Sequence, residues 1–359
     1  MAINRGQIVR AFSLAYPVLA LLIVPADWCL AADRLTGLHS AQVMSQSMPW
    51  IAQEAGLFKK YDLDFRLVFI PSSPVATAAT LNGDAEIGVT GAVGNVRAYV
   101  QGFTDLVFIA GMKNILTHSV LGKPDMKRPE DLKGKKVGLP EYQLTANVWA
   151  RAILQDDHGV KPSDIHWIRG GIEDAERPEK ISIKLPADVK LEDAPRGKSI
   201  STLLKEGAID GFIAPRPPSL SADTANVGWL FSDPVAAAKD YFKRTGIFPI
   251  MHLVGVRRTL ADKHPWLPGA VFKAFDQAKR VALDQLSDTS ATKVTLPFVE
   301  ERLVEVRSLM GDDFWSYGVA ANRKTLETFL RHHHSQGLSA RLVTVEEMFH
   351  PGTLESFKL

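Results

Sequence analysis

Leu81-Asn-Gly-Asp-Ala-Glu-Ile-Gly-Val89 and Leu204-Lys-Glu-Gly-Ala-Ile-Asp-Gly-Phe212 are two versions of one phrase. Each closes a helix on a glycine, Gly83 or Gly207, passes an acidic residue, and enters a short apolar strand. Glycine suits the helix end because it takes the left-handed conformation without a steric cost. A helix-to-strand phrase that recurs far along the chain points to two similar α/β lobes.

Reading outward from the first copy, 37–43 predicts a strand, and Ser47 with Pro49 opens a helix that Gly56 closes. A strand at 65–70, a small-residue helix at 72–81, a strand at 85–90, a helix at 93–101 and a strand at 106–110 complete the unit. The same grammar restarts with a helix-to-turn unit at 129–134, a strand at 136–139 and a helix from Thr145 to about 155. A strand at 165–168, a helix at 200–206 and a strand at 209–213 follow. The strands 117–122 and 246–256 are the two crossings between units, which makes a hinge around a cleft. Beyond Pro265 the pattern is helical, best at 270–286 and 296–310, and these helices are expected to cover the first lobe. The expected division is a leader at 1–31, a first lobe at 32–117 plus 250–359, and a second lobe at 118–249.

The charge balance excludes one class of partner. Lys and Arg number 42 against 40 Asp and Glu, for a net +2 among 359 residues, with no basic run interleaved with aromatics. Nucleic-acid binding is therefore not expected. The leader has Arg5 and Arg10, an apolar run at 11–24 broken only by Ser13 and Pro17, then Cys29-Leu-Ala31. That is the order of a secretory signal, and the run is shorter than the roughly 20 residues a membrane span needs. It predicts cleavage near Ala31 and a periplasmic protein. Cys29, the one cysteine, follows the bulky Trp28, which argues against lipid attachment. The mature chain then has no thiol for a disulfide, a thiolate metal site or a nucleophile.

The first half resembles the nitrate, sulfonate and taurine type of solute-binding protein. The stretches that carry this are Pro49-Trp-Ile-Ala-Gln-Glu-Ala-Gly-Leu-Phe58, Leu81-Asn-Gly-Asp-Ala-Glu-Ile-Gly88 and Pro129-Glu-Asp-Leu-Lys-Gly-Lys-Lys-Val-Gly138. From Val137 onward the chain is similar to the 4,5-dihydroxyphthalate decarboxylase-like proteins. Here the carriers are Val137-Gly-Leu-Pro-Glu-Tyr-Gln-Leu-Thr-Ala146, Arg177-Pro-Glu-Lys180, Tyr241-Phe-Lys-Arg-Thr-Gly-Ile-Phe-Pro-Ile-Met-His252, His264-Pro-Trp266 and Leu309-Met-Gly-Asp-Asp-Phe-Trp315. Both resemblances imply the two-lobe periplasmic-binding fold of type II. A third, to the pyrimidine synthases of thiamine biosynthesis, is set aside because those rely on a cysteine-rich segment.

In such a fold ligands sit at the carboxyl ends of strands, against helix N-termini. Ser45-Gln-Ser47 after the first strand and Thr90-Gly91 after the third offer hydroxyls and backbone N–H groups to a carboxylate or sulfonate. Glu141-Tyr-Gln-Leu-Thr145 holds the equivalent place in the second lobe: Tyr142 to stack on a flat ligand, Gln143 and Thr145 to donate to its oxygens. Arg216, fixed between Pro215 and Pro217, is expected to pair an anionic group, and His252 on the return strand to reach into the cleft. His332-His333-His334 is read as a solvated helix face and not a metal site, since consecutive helix positions diverge by about 100°. The leading expectation is a monomeric receptor of an ABC importer that passes a small anionic organic solute to a permease and its ATPase. The alternative is a cofactor-independent carboxy-lyase acting on 4,5-dihydroxyphthalate or a related acid, with His252 or Glu141 as proton donor.

Overall fold

The computed structural model describes residues 34–113, 119–175, 183–217, 219, 227–290 and 294–355. The leader with Cys29 and Ala31 lies outside the described residues, as do Thr117 and 177–180. Strand and helix alternate from β1 (Arg34–His39) through α1 (Met48–Glu54), α2 (Leu57–Lys60), β2 (Asp64–Phe69), α3 (Ser73–Asn82), β3 (Ile87–Gly91), α4 (Ala92–Val100) and β4 (Val107–Lys113). The next stretch holds β5 (Ser119–Gly122), β6 (Lys136–Leu139), α5 (Thr145–His158), β7 (His166–Arg169), β8 (Lys190–Asp193) and α6 (Ile200–Lys205). It ends with β9 (Gly211–Ala214), β10 (Gly228–Trp229) and α7 (Pro234–Thr245). After β11 (Ile250–Val256) come α8 (Arg258–Lys263), α9 (Leu267–Ser287), α10 (Val299–Met310), α11 (Val319–Ser335) and α12 (Val345–Met348). Among the described residues no helix is long and apolar enough to cross a membrane.

Two sheets result, one ordered β2-β1-β3-β11-β4 and the other β10-β5-β9-β6-β7-β8. The chain leaves the first sheet after β4 and re-enters it as β11, antiparallel between β3 and β4. This is the two-lobe α/β architecture that the doubled phrase predicts. The phrase itself does the same work in each sheet. Gly83 and Gly207 end their helices with φ of +90° and +69°. Glu86 donates its N–H to Thr36 O (3.0 Å) and accepts the Thr36 N–H on Oε2 (2.7 Å). Asp210 repeats this with Lys136, at 2.7 Å and 3.0 Å. Each acid thus fastens the start of one central strand to its parallel neighbour. At Gly211 the backbone must pass close to β5, where a Cβ would meet Leu121 O at 2.8 Å.

Some elements depart from expectation. The first strand stops at His39 because Gln46 Oε1 takes the N–H groups of Ser40 (2.8 Å) and Ala41 (3.0 Å) and turns the chain. The return strand begins at Ile250, since Gly246 caps α7 and Pro249 has no N–H to pair. β8, β10 and α7 had no predicted counterpart; β8 is mostly exposed and so lacks an alternating pattern.

The C-terminal helices also divide differently. α9 packs on α1 and α2 beside the first sheet, as expected, but α11 packs on α5 of the second sheet as well as on β4. Leu326, Phe329 and Leu330 recur at helical spacing and share one buried cluster with Trp149 of α5. The Trp149 indole N–H donates to Ile250 O (2.9 Å), so α5 is tied to β11 at the crossing. His332 and His333 are fully buried in this contact, which corrects the solvated-face reading. His332 Nε2 lies 2.8 Å from Asp156 Oδ2, His333 Nδ1 lies 3.1 Å from Ser339 Oγ, and only His334 faces outward. Among the described residues no group of three His, Cys, Asp or Glu gathers as a metal site.

Arg151 on α5 is the most demanding residue of this contact. The residue is 1% exposed, and its guanidinium donates to Gln336 Oε1 (2.8 Å) and Tyr142 O (2.6 Å) and lies 3.7 Å over the Tyr142 ring. Burial pushes its pKa down to about 10, so it stays charged at neutral pH. Arg151→Met keeps much of the volume and strands two buried acceptors, each at a cost of roughly 1–3 kcal/mol. A destabilisation of that order, read as a lowered urea midpoint, is expected; an unchanged midpoint would contradict this account of the α5–α11 contact.

Candidate ligand-binding cleft

The parallel strands of both sheets end on one cavity of about 450 Å³ between the lobes. On the first lobe its wall is Ser40 after β1, Gly91 at the end of β3, one side of α3 and of α4, and Met251 and His252 of β11. On the second it is Glu141, Gln143 and Thr145 after β6, and Pro215 after β9. β11 runs antiparallel, so its beginning lies beside the ends of β1 and β3, with His252 paired directly to Gly91.

Three helix N-termini open onto this space. α3, α4 and α5 start at Ser72, Gly91 and Leu144, and none is capped by its own N-cap side chain. Each presents backbone N–H groups and the positive end of its dipole to an anion. Local polar contacts order the rim. Gln46 Nε2 donates to Ser40 Oγ (3.2 Å), Ser40 Oγ and Ser73 Oγ share a hydrogen bond (2.7 Å), and Ser73 Oγ accepts the Gly91 N–H (3.1 Å). Among the bonds that cross the cleft are Val93 N–H to Thr145 Oγ1 (3.3 Å) and Arg97 Nη1 to Gln143 Oε1 (2.8 Å).

Arg97, Glu141 and His252 are the ionisable residues among the described side chains that line the cavity. Ser45 Oγ sits 3.1 Å from His252 Nδ1, which leaves Nε2 as the ring nitrogen for the cavity. Burial pushes the His252 pKa down to about 4, so the imidazole is neutral at pH 7.

The sequence candidates therefore separate into three groups. Gly91, Glu141, Gln143, Thr145 and His252 meet at the cavity wall. Ser45, Gln46 and Thr90 lie behind it. Ser45 holds His252, Gln46 holds Ser40 and Ala41, and the Thr90 hydroxyl meets Asn95 Oδ1 at 3.0 Å. Tyr142 turns away from the cavity: its ring is fully buried under the Arg151 guanidinium, which uses the face expected to stack on a ligand. Ser47 donates to Met44 O (2.7 Å) and neither caps α1 nor touches the cavity. Arg216 is exposed; its neighbour Pro215 forms the wall instead.

Arg97 was missed, and so were Ser40 and Ser73. A signal existed for Arg97. Val93, Arg97 and the C-cap Gln101 recur every four residues along α4 and share the face that begins at Gly91.

His252 gives this site a pH signature in stability. Its unfolded value is near 6.5 and its folded value about 4, so the unfolded chain binds the extra proton between them. The stabilisation is complete above about pH 6.5 and is lost as pH falls toward 4. His333, pushed down to about 3 mainly by burial, adds a slope of the same sign. Denaturation midpoints from pH 7.5 to 4.5 should fall less steeply in His252→Asn than in wild type; equal slopes would place His252 in a solvated position.

Comparison with known proteins fits this geometry. The NMT1/THI5-like family model matches residues 47–178. The sulfonate ABC transporter protein SsuA of Methylobacillus flagellatus superposes with a TM-score of 0.59 at 15% identity, covering 90% of this chain and 93% of that one. The aliphatic sulphonate binding protein SsuA of Escherichia coli gives 0.53 at 16% identity, covering 89% and 98%. At this identity the likeness establishes the periplasmic-binding fold. Sequence relatives are much nearer. The 4,5-dihydroxyphthalate decarboxylase of Comamonas testosteroni is 57% identical over 232 residues, 64% of this chain and 70% of that protein. The Pseudomonas putida protein of the same name is 51% identical over 114 residues, 32% of this chain and 44% of that protein. On the strength of the first of these, the chain belongs to the 4,5-dihydroxyphthalate decarboxylase family.

Proposed function

We propose that the cleft takes 4,5-dihydroxyphthalate or a closely related hydroxylated aromatic dicarboxylate and removes one carboxyl group as carbon dioxide. The observation that carries this reading is the 57% identity to the Comamonas testosteroni decarboxylase. The cleft supplies what the chemistry asks for: positive helix ends and a guanidinium for the anion, a ring nitrogen, and a carboxylate. In our reading the two lobes divide at 117/118 and 249/250.

Decarboxylation of such a ring needs acid–base chemistry at two places. A proton is delivered to the ring carbon that bears the departing carboxylate. The carbon–carbon bond then breaks, its electron pair restores the aromatic ring, and carbon dioxide leaves. The hydroxyl para to that carbon feeds electron density into the protonated ring. His252 Nε2 is the candidate donor and Glu141 the candidate acceptor toward the ring hydroxyl. Burial keeps His252 neutral at pH 7. A dianion beside it opposes that shift and favours the protonated ring that the step requires. Ser45, Gln46, Thr90 and Tyr142 act behind the wall by holding these groups in place.

A second reading is favoured by the leader-like sequence at 1–31. In it the same cleft captures the acid in the periplasm for an ABC permease and ATPase, without turnover. Carbon dioxide release from 4,5-dihydroxyphthalate separates the two. We expect turnover in wild type and a loss of about 10²–10⁴-fold in His252→Asn, with binding largely kept. Arg216→Ala should behave as wild type. Tight binding with no carbon dioxide from wild type would overturn the enzyme reading in favour of the receptor.

A further inference from the structure

We propose that Arg97 makes the cleft selective for two adjacent carboxylates, and that such a ligand displaces the bond from Arg97 Nη1 to Gln143 Oε1. This rests on the reading of the ligand as an aromatic dicarboxylate and adds the residue that reads its second carboxylate.

The geometry begins on α4. Val93, Gly94, Arg97 and Ala98 all face the cavity, so Arg97 is a wall residue on a regular helix and not a surface side chain. Its Nη1 reaches across the cleft to Gln143 Oε1 at 2.8 Å, joining the two lobes. A carboxamide is a neutral acceptor. A carboxylate in the same place makes charge-assisted, two-pronged bonds that are roughly twice as strong, so an anionic ligand is the stronger claimant.

The position of Arg97 argues for a second anionic group instead of a second grip on the first. The N-termini of α3, α4 and α5 meet near Ser73, Gly91 and Thr145, where the Gly91 N–H donates to Ser73 Oγ (3.1 Å) and the Val93 N–H to Thr145 Oγ1 (3.3 Å). That cluster is one anion subsite. Arg97 lies four residues along α4 from Val93, about 6 Å of helix rise, and so addresses the neighbouring group of the ligand. The Glu141 carboxylate lines the same cavity and repels a dianion. Two separate positive sources are what allow a dicarboxylate to overcome it. A benzene-1,2-dicarboxylate spans both subsites, whereas a monocarboxylate fills only one.

Calorimetric binding of phthalate and of benzoate to the full chain tests this. Neither probe carries the ring hydroxyl of the proposed substrate. Wild type should prefer phthalate. In Arg97→Met phthalate affinity should fall about 30-fold or more, with benzoate changed less than about 3-fold, so the preference collapses. Arg97→Lys should keep part of the preference, because it retains the charge and loses the fork; it also serves if the methionine variant fails to fold. Equal losses for both acids, or none for either, would overturn the assignment while leaving the aromatic-acid reading intact. Wild type that binds neither acid would overturn both. Wild type that binds phthalate with the predicted Arg97 dependence and releases no carbon dioxide from 4,5-dihydroxyphthalate would uphold this assignment and overturn only the catalytic reading.

Discussion

The return of β11 between β3 and β4 is the constraint on which the cleft depends. Because the strand runs antiparallel there, its first residues lie beside the ends of the parallel strands, and His252 faces Gly91 across a backbone pair. The same strand carries Ile250, whose carbonyl accepts the Trp149 indole from the other lobe. One strand therefore places the imidazole in the cavity and anchors the helix that bears Thr145. α11 adds a second tie, through the cluster of Leu326, Phe329 and Leu330 with Trp149 and the Gln336 bonds to Arg151 and Val148.

Magnitudes decide what the cavity selects. A helix N-terminus near an anion is worth roughly 0.3–1 kcal/mol at an exposed site and up to about 2 kcal/mol when partly buried. Three of them converge here, and a charge-assisted bond from Arg97 adds roughly 1.5–3 kcal/mol. Against this stand the Glu141 carboxylate and the loss of the Arg97–Gln143 bond. The balance favours a compact anion, and it favours one with two charges over one with one. Arg151 does not enter this sum directly. It shapes the wall by holding the Tyr142 carbonyl, while Asn147 Nδ2 holds the Glu141 carbonyl at 2.6 Å, so the loop with Gln143 is fixed from behind.

The backbone of this fold was legible because its signals are local. Helix-ending glycines and proline positions act within a few residues, and the doubled phrase carries the glycine signal in both copies. Which strand ends face the cavity followed from topology, so Gly91, Gln143, Thr145, Glu141 and His252 were legible as residues of its wall. Side-chain direction depends on distant partners and was not legible. Tyr142 is claimed by Arg151, nine positions further on. His332 and His333 are claimed by the packing of α11 on α5 and by Asp156 and Ser339, which no helical period announces. Arg216 looked pre-set by its flanking prolines, yet those prolines shape the loop without turning the side chain inward. Arg97 was overlooked because an arginine within a helix reads as solvated unless its face is known.

A crystal structure of the full chain with phthalate bound tests the central claim most directly. The account predicts one carboxylate at the N–H groups of Gly91 and its neighbours beside Ser73 and Thr145. The other should be paired with Arg97, with Gln143 displaced from its guanidinium. Phthalate bound elsewhere, or in the cavity with the Arg97–Gln143 bond intact, would contradict it.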